Sequence, residues 1–350
     1  MIMRIFPTLA FLSCLSLLQT HSSQAQKPPD QLEESIGRAL SFLKTMQGKD
    51  GAWQIASGKS HAVTALSVMA FLAAGHVPGE GPYGPVVDKG IRWVLDHQTA
   101  EGLFSSDGHD MYNHGICTLM VAGAAGMTDA KTASLVKPKL EKAVQLILKA
   151  QILDKDNGFR GGWRYNVQSA DADISVSGWQ IMALRAAKNL GCDVPAERIA
   201  LAMDFVKKCR DPQTKAYCYQ PGGPVTIPCT GTCILMLELV GKQGHHTPEA
   251  LQAGSYLLQN PPRYEQNPSY YYYGVYYCSQ AMFQLGQNYW KAFRPYLHKL
   301  LFTTQKSNGA WLDDNFGPSY ATAMSVLALA VEYRLLPIYQ RNEDQDKKAP

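Results

Sequence analysis

Three short stretches of this 350-residue chain gather the side chains most able to do chemistry. The first, SADADIS, places Asp171 and Asp173 two residues apart. A strong, well-supported carboxylic acid can protonate even an alkene, and neighbouring acids and donors help to make one. Asp173 and Ser175 also suit a plainer task, since a helix beginning near Ser175 wants an N-cap acceptor there. The second stretch, DGHDMYNH, holds Asp107, His109, Asp110 and His114, all residue types that bind metals. Two histidines in a loop are more commonly surface or packed groups, and no metal or other cofactor is expected. The third, SYYYYGVYYC, has six tyrosines between Tyr270 and Tyr277. At helical spacing they point all round, so some should face a cavity or its mouth, where such rings pack on sugars, aromatic groups or cations.

The elements that must position these residues follow a repeat. QGKDGAW, with Gln47, Gly51 and Trp53, returns as QKSNGAW, with Gln305, Gly309 and Trp311. Between them lie HQTAEGLF, with Gln98, Gly102 and Phe104, and QILDKDNGFRGGW, with Gln151, Gly162 and Trp163. CRDPQTKAYCY puts Cys209 in place of the Gln and keeps Tyr217 and Tyr219, and LLQNPPRY offers Gln259. The six copies recur about every 45–60 residues, the signature of a repeat array. An amphipathic helical pattern precedes each copy, as in DQLEESIGRALSFLKTM, where Leu32, Ile36, Leu40 and Leu43 share a face behind an Asp30 cap. A helix apolar nearly all round follows each copy, as in HAVTALSVMAFLAAG, and such helices must be buried on every side. Six buried helices ringed by six amphipathic ones predict an all-α toroid of about twelve helices over residues 30–341, with an open solenoid as the alternative. The inner helices then begin around one mouth. Residues His61, Tyr112, His114, Asp171, Asp173, Cys229, Tyr271, Tyr272 and Tyr320 stand at or near those starts.

The repeated Gln-x-x-Asp-Gly-x-Trp resembles the repeat of squalene cyclases and protein prenyltransferase β-subunits. The resemblance spans residues 31–341 and implies the (α/α)6 toroid. It implies a structural role for the motif Gln and Trp, which brace each turn against a neighbouring helix. Squalene–hopene-type cyclases protonate an alkene with the middle acid of Asp-x-Asp-Asp, so the resemblance implies a terpenoid-cyclase-like isomerase with Asp173 as donor. Ile174 stands where the family has its last acid, and the chain offers one helical domain where triterpene cyclases use two. The prenyltransferase zinc site would fall on Asp173, Cys229 and His114. Other toroids are carbohydrate-active enzymes with paired carboxylates, or thioester domains, whose Cys-Gly-Glu-Gln is absent here.

Composition bounds what remains. Apolar residues make up 46% and charged residues 18%, which suits a chain with a generous core. The net charge of +4 is unclustered and gives no nucleic-acid footprint. Residues 1–25 carry Arg4, an apolar run from Ile5 to Leu18 and a Ser23-Gln24-Ala25 ending, the pattern of a signal peptide cleaved near Ala25. A lipid anchor on Cys14 fits that pattern poorly, and no later segment is long and apolar enough to span a membrane. Export would permit disulfides, and Cys209 with Cys218 is the pair to test because both flank one loop. Residues 342–350 read as a polar tail. The expectation is therefore an exported binding or scaffold module with an apolar, aromatic central cavity. Its partner would be an apolar or isoprenoid-like small molecule, or a protein. The cyclase-like isomerase and the carbohydrate-active enzyme are the alternatives.

Overall fold

The structure, a computed structural model, describes residues 30–340 except 106–107, 152–153, 241–244 and 267. The expected signal peptide, the polar tail and the candidate Asp107 lie outside the described residues. Among them are twelve α-helices in two sets. The outer set is α1 (Gln31–Met46), α3 (Gly84–Asp96), α5 (Ala130–Gln151), α7 (Ala196–Lys208), α9 (Pro248–Gln259) and α11 (Gln287–Thr304). The inner set is α2 (His61–Ala73), α4 (Asp110–Ala124), α6 (Ile174–Asn189), α8 (Ile227–Val240), α10 (Tyr271–Gln284) and α12 (Gly317–Leu329). Each inner helix packs on the next and α12 packs on α2, so the ring closes and the chain is an (α/α)6 toroid. A short antiparallel hairpin, β1 (Trp53–Ile55) with β2 (Gly58–Ser60), elaborates the first turn.

Sequence pattern explains the two layers. Asp30 caps α1 by accepting from the Glu33 N–H at 3.0 Å, and Leu32, Ile36, Leu40 and Leu43 are the buried stripe. In α2 every residue but Ala62 is buried, as a helix with no polar face requires. Glycines let the inner helices approach: a Cβ on Gly178 would lie 2.4 Å from Thr232 Cγ2, and one on Gly231 would lie 2.9 Å from the Cys278 nitrogen.

The repeated Gln is the fastener between repeats. Gln47 Nε2 donates to Gly51 O at 3.0 Å in its own turn and to Val86 O at 2.9 Å on the next outer helix. Gln98 joins Gly102 O to Lys139 O in the same way, and Gln151 joins Gly161 O to Arg198 O. Gln305 donates to Gly309 O and to Ser35 O, tying the sixth repeat to the first. Each motif indole also donates to the outer helix before it, Trp53 to Leu43 O, Trp163 to Ile147 O and Trp311 to Leu301 O. The turn glycine of the third repeat is Gly161, with φ 101°, rather than the expected Gly162. Gln259 is exposed and holds no turn; there Tyr296 of α11 reaches back to Pro262 O at 2.6 Å.

A second fastener comes from the inner helix. The N–H of the turn aromatic is taken by a hydroxyl one helix on: Trp53 by Thr64, Trp163 by Ser177, Tyr217 by Thr230 and Trp311 by Thr322. In the second repeat His114 fills that slot. Its Nδ1 accepts from the Phe104 N–H at 3.2 Å, leaving Nε2–H to donate to Ala143 O at 3.0 Å.

The centre of the ring differs from expectation. Trp179 of α6 stacks on Tyr276 of α10, 5.6 Å apart and 8° from parallel, and meets Tyr277 edge-on. All three rings are at most 1% exposed, so the middle of the axis is packed rather than open. Residues 330–340 cover the end where the inner helices finish. The Tyr339 hydroxyl hydrogen-bonds that of Tyr276, and Gln284 Nε2 donates to Tyr339 O at 2.8 Å. The mouth at the other end is where the inner helices begin.

Gly309 sits at φ 90°, and a Cβ there would lie 2.3 Å from Arg38 O. Gly309→Ala is expected to cost ~1–3 kcal/mol in denaturant unfolding. Gly37→Ala, in α1 with nothing near the new methyl, is expected to stabilise by ~0.5–1 kcal/mol. Burial lowers the pKa of His114 from 6.5 to about 4. The unfolded chain therefore binds the extra proton between those values, and stability present above pH 6.5 is lost as pH falls towards 4, by about 3 kcal/mol. His114→Thr, which restores the residue type of the other slots, should flatten that limb of the stability–pH curve.

Candidate functional site

The mouth is built by the turns of the third and fourth repeats against the starts of α4 and α6. The Asp173 N–H bonds Trp163 O at 2.9 Å, the Ile174 N–H bonds Tyr219 O at 3.0 Å, and the Met111 N–H bonds Tyr165 O at 2.8 Å. These bonds bring Arg164, Tyr165 and Tyr219 over the DAD stretch.

Asp173 is the N-cap of α6 and has no solvent exposure. Its Oδ1 accepts from the Val176 N–H at 3.0 Å and the Ser175 hydroxyl at 2.5 Å, and its Oδ2 accepts from Arg164 Nη1 at 2.8 Å. Three donors thus converge on this one carboxyl group. Arg164 also pairs through Nε with Asp171 Oδ2 at 3.1 Å. Burial opposes the Arg164 charge, but the hydrogen bond and charge of Asp173 outweigh it and raise the guanidinium pKa. One arginine thus holds both acids.

Tyrosines wall this pair. The guanidinium lies 4.3 Å from the Tyr165 ring centre and 5.4 Å from that of Tyr219, and it donates to the Tyr219 oxygen. The Tyr165 and Tyr219 hydroxyls are 2.6 Å apart. Tyr112 stacks on Tyr165 at 5.8 Å and donates to the Ser175 hydroxyl. Tyr273 donates to Ser175 O at 3.4 Å and shares a hydrogen bond with Thr232. Burial, with Asp173 adding to it, keeps the Tyr112 and Tyr219 phenols protonated far above neutrality. Gln220 Nε2 donates to Ala172 O at 2.9 Å and to the half-exposed Asp171 at 3.4 Å. Lys155, buried beside the turn, donates to Ala150 O and Gly162 O; burial lowers its pKa to about 8, against the pull of Asp171.

The expected ring of site residues is only partly assembled. Asp171, Asp173 and Tyr112 meet as described. His61 begins α2, but its ring faces outward to α3, 4.7 Å from Trp93 and 6.3 Å from His97. His114 is spent between Phe104 and Ala143 and is not at the mouth. Cys229 is buried, its thiol pushed up to about 12 by burial. The zinc set Asp173, Cys229 and His114 is therefore not brought together, and among the described residues no cluster of three or more His, Cys, Asp or Glu could hold a metal. Of the tyrosine run, only Tyr270 is exposed; Tyr271, Tyr272, Tyr273, Tyr276 and Tyr277 are buried. Tyr271 packs edge-on to Tyr264 and Tyr272, and Tyr320 packs on Phe316. Packing absorbs most of that stretch because α10 is surrounded by α8, α11 and α12.

Arg164, Tyr165, Tyr219 and Gln220 were not legible as site residues. Arg164 directly follows the motif Trp163, and Tyr219 lies two beyond the turn residue Tyr217, so proximity to repeat turns was the available signal. Arg164→Gln should cost about 2–4 kcal/mol by leaving Asp173 buried without its cation. Asp173→Asn keeps a capping oxygen and should cost less, a ranking that urea unfolding of the two variants checks.

No family model matches the chain, and no curated protein matches it in sequence. Solved structures do. The GH76A α-1,6-mannanase of Salegentibacter sp. HEL1_6, in an inactive double-aspartate variant with α-1,6-mannotriose, aligns at TM-score 0.64 and 11% identity over 87% of this chain and 99% of that one. The apo type II terpene cyclase MstE from Scytonema aligns at TM-score 0.56 and 18% identity over 88% of this chain and 98% of that one. At such identities the likeness is one of fold, and both are similar to this toroid over almost their whole length.

Proposed function

We propose that this chain is a binding or scaffold module of the toroid fold, taking its ligand at the tyrosine-walled mouth of the inner ring. The observation that carries this reading is the sharing of Arg164 by Asp171 and Asp173. A cyclase acid must present its proton to the substrate and a glycosidase needs paired carboxyls facing its substrate. Here Asp173 has no solvent exposure and both acids are tied to one guanidinium. The rings stacked along the axis support the same view, because a long polyene has to be enclosed where Trp179 and Tyr276 now touch. The partly buried rim of Tyr112, Tyr165 and Tyr219 suits a flat apolar or aromatic molecule, or an apolar segment of a protein. Export, as residues 1–25 suggest, would place this module outside the cytoplasm.

The test is to purify the chain, identify co-purifying molecules by native mass spectrometry, and incubate it with the two substrate classes of its structural neighbours. These are a geranylgeranyl dihydroxybenzoate, found bound to MstE, and an α-1,6-mannooligosaccharide, found bound to the mannanase. The expected result is a retained apolar ligand or protein, at least tenfold weaker retention in Tyr165→Ala, and no product from either compound. A cyclised product lost in Asp173→Asn would establish the isomerase instead, and cleavage of the oligosaccharide would establish the carbohydrate-active enzyme.

A further inference from the structure

The fourth turn lacks the Gln that fastens its counterparts. That Gln performs two tasks: it holds a carbonyl of its own turn and reaches a carbonyl of the next outer helix. In the fourth repeat the reach is made by Arg210, whose Nη2 donates to Gln252 Oε1 on α9 at 2.5 Å. Within the turn, Asp211 Oδ1 accepts from the Gln213 N–H at 3.2 Å and the Thr214 N–H at 2.6 Å, a noncovalent hold on the tip of the turn. Lys215 takes the usual glycine position, with φ 64°, a conformation that costs a non-glycine residue and calls for support.

Cys209 occupies the missing Gln's place at the end of α7. The antiparallel bridge between Arg210 and Tyr217 sets the register of this turn, and the next pair outward is Cys209 with Cys218. The Cys218 N–H bonds Cys209 O at 2.8 Å, so the two are direct cross-strand partners. Residues in such a hydrogen-bonded pair carry their Cα atoms about 5.5 Å apart, within the span of a disulfide. Both side chains are buried, and the thiols are free in this structure. Cys229 and Cys233 lie nearby, one helical turn apart on α8, where a bridge between them would distort the helix.

We propose that Cys209 and Cys218 form a disulfide that supplies covalently the hold which Gln supplies elsewhere. Two S–H bonds break and one S–S bond forms; the two electrons and two protons pass to a disulfide oxidant such as oxidised glutathione, which leaves as two thiols. Burial raises both thiol pKa values and keeps them unreactive in the folded ring, so the bond forms while the chain is folding.

The experiment refolds the reduced chain in a mixture of oxidised and reduced glutathione, then maps peptides by mass spectrometry without reduction. The expected map has one cross-link, Cys209 to Cys218, with Cys14, Cys117, Cys192, Cys229, Cys233 and Cys278 free. The oxidised protein should melt ~3–6 °C above the reduced protein, and the gap should vanish in Cys218→Ser but persist in Cys278→Ser. A cross-link from Cys209 to Cys229 or Cys233 overturns the proposal, as does a fully reduced map after oxidative refolding. Should Cys218→Ser fail to fold, the wild-type peptide map still decides.

Discussion

A closed ring of helix pairs buries its own turns, and buried backbone carbonyls must find donors. Everything else in this molecule depends on that constraint. Gln is long enough to carry one N–H₂ group to two carbonyls at once, one inside the turn and one on the neighbouring repeat. Packing alone would let six helix pairs settle at many angles. The two-carbonyl bond fixes each pair to the next, and repetition of that geometry brings α12 back to α2. Where no Gln does this, the link to the next outer helix uses different chemistry: Arg210 reaches the Gln252 side chain on α9, and Tyr296 of α11 reaches the turn carbonyl of Pro262.

The same constraint shapes the mouth. Turns that must be held tightly are also the segments that overhang the starts of the inner helices. Arg164 follows a motif Trp, so the bond that anchors Trp163 to the outer layer also aims the arginine at Asp173. Asp173 then has a structural debt on both sides, to the α6 N-terminus and to the guanidinium. Its chemistry is determined by its neighbours rather than by its resemblance to an acid in a related fold.

The layers, the closure and the repeat turns were legible because they rest on periodicity, and periodicity is a property of the whole pattern. Side-chain direction was not. Tyr112 and His114 both begin α4, but two residues turn a helix by about 200°, so they cannot both face the mouth. Tyr112 points inward to Ser175, and His114 points outward to Ala143. His61 was misread for the same reason. The tyrosine run was legible as unusual, but which of its rings are packed was not, since the demand for large rings inside the barrel depends on Trp179 lying opposite. Arg164 and Tyr219 sit on turns whose path is fixed by contacts far away in the chain, and no local pattern announces them.

The bond from Gln305 to Ser35 makes the first and last repeats neighbours. Order along the chain and order around the ring are therefore separate properties. A circularly permuted chain, opened at the weakly fastened fifth turn near Pro262 and joined through its old termini, would keep every Gln fastener intact. Where this ring begins is a fact of its gene rather than of its architecture.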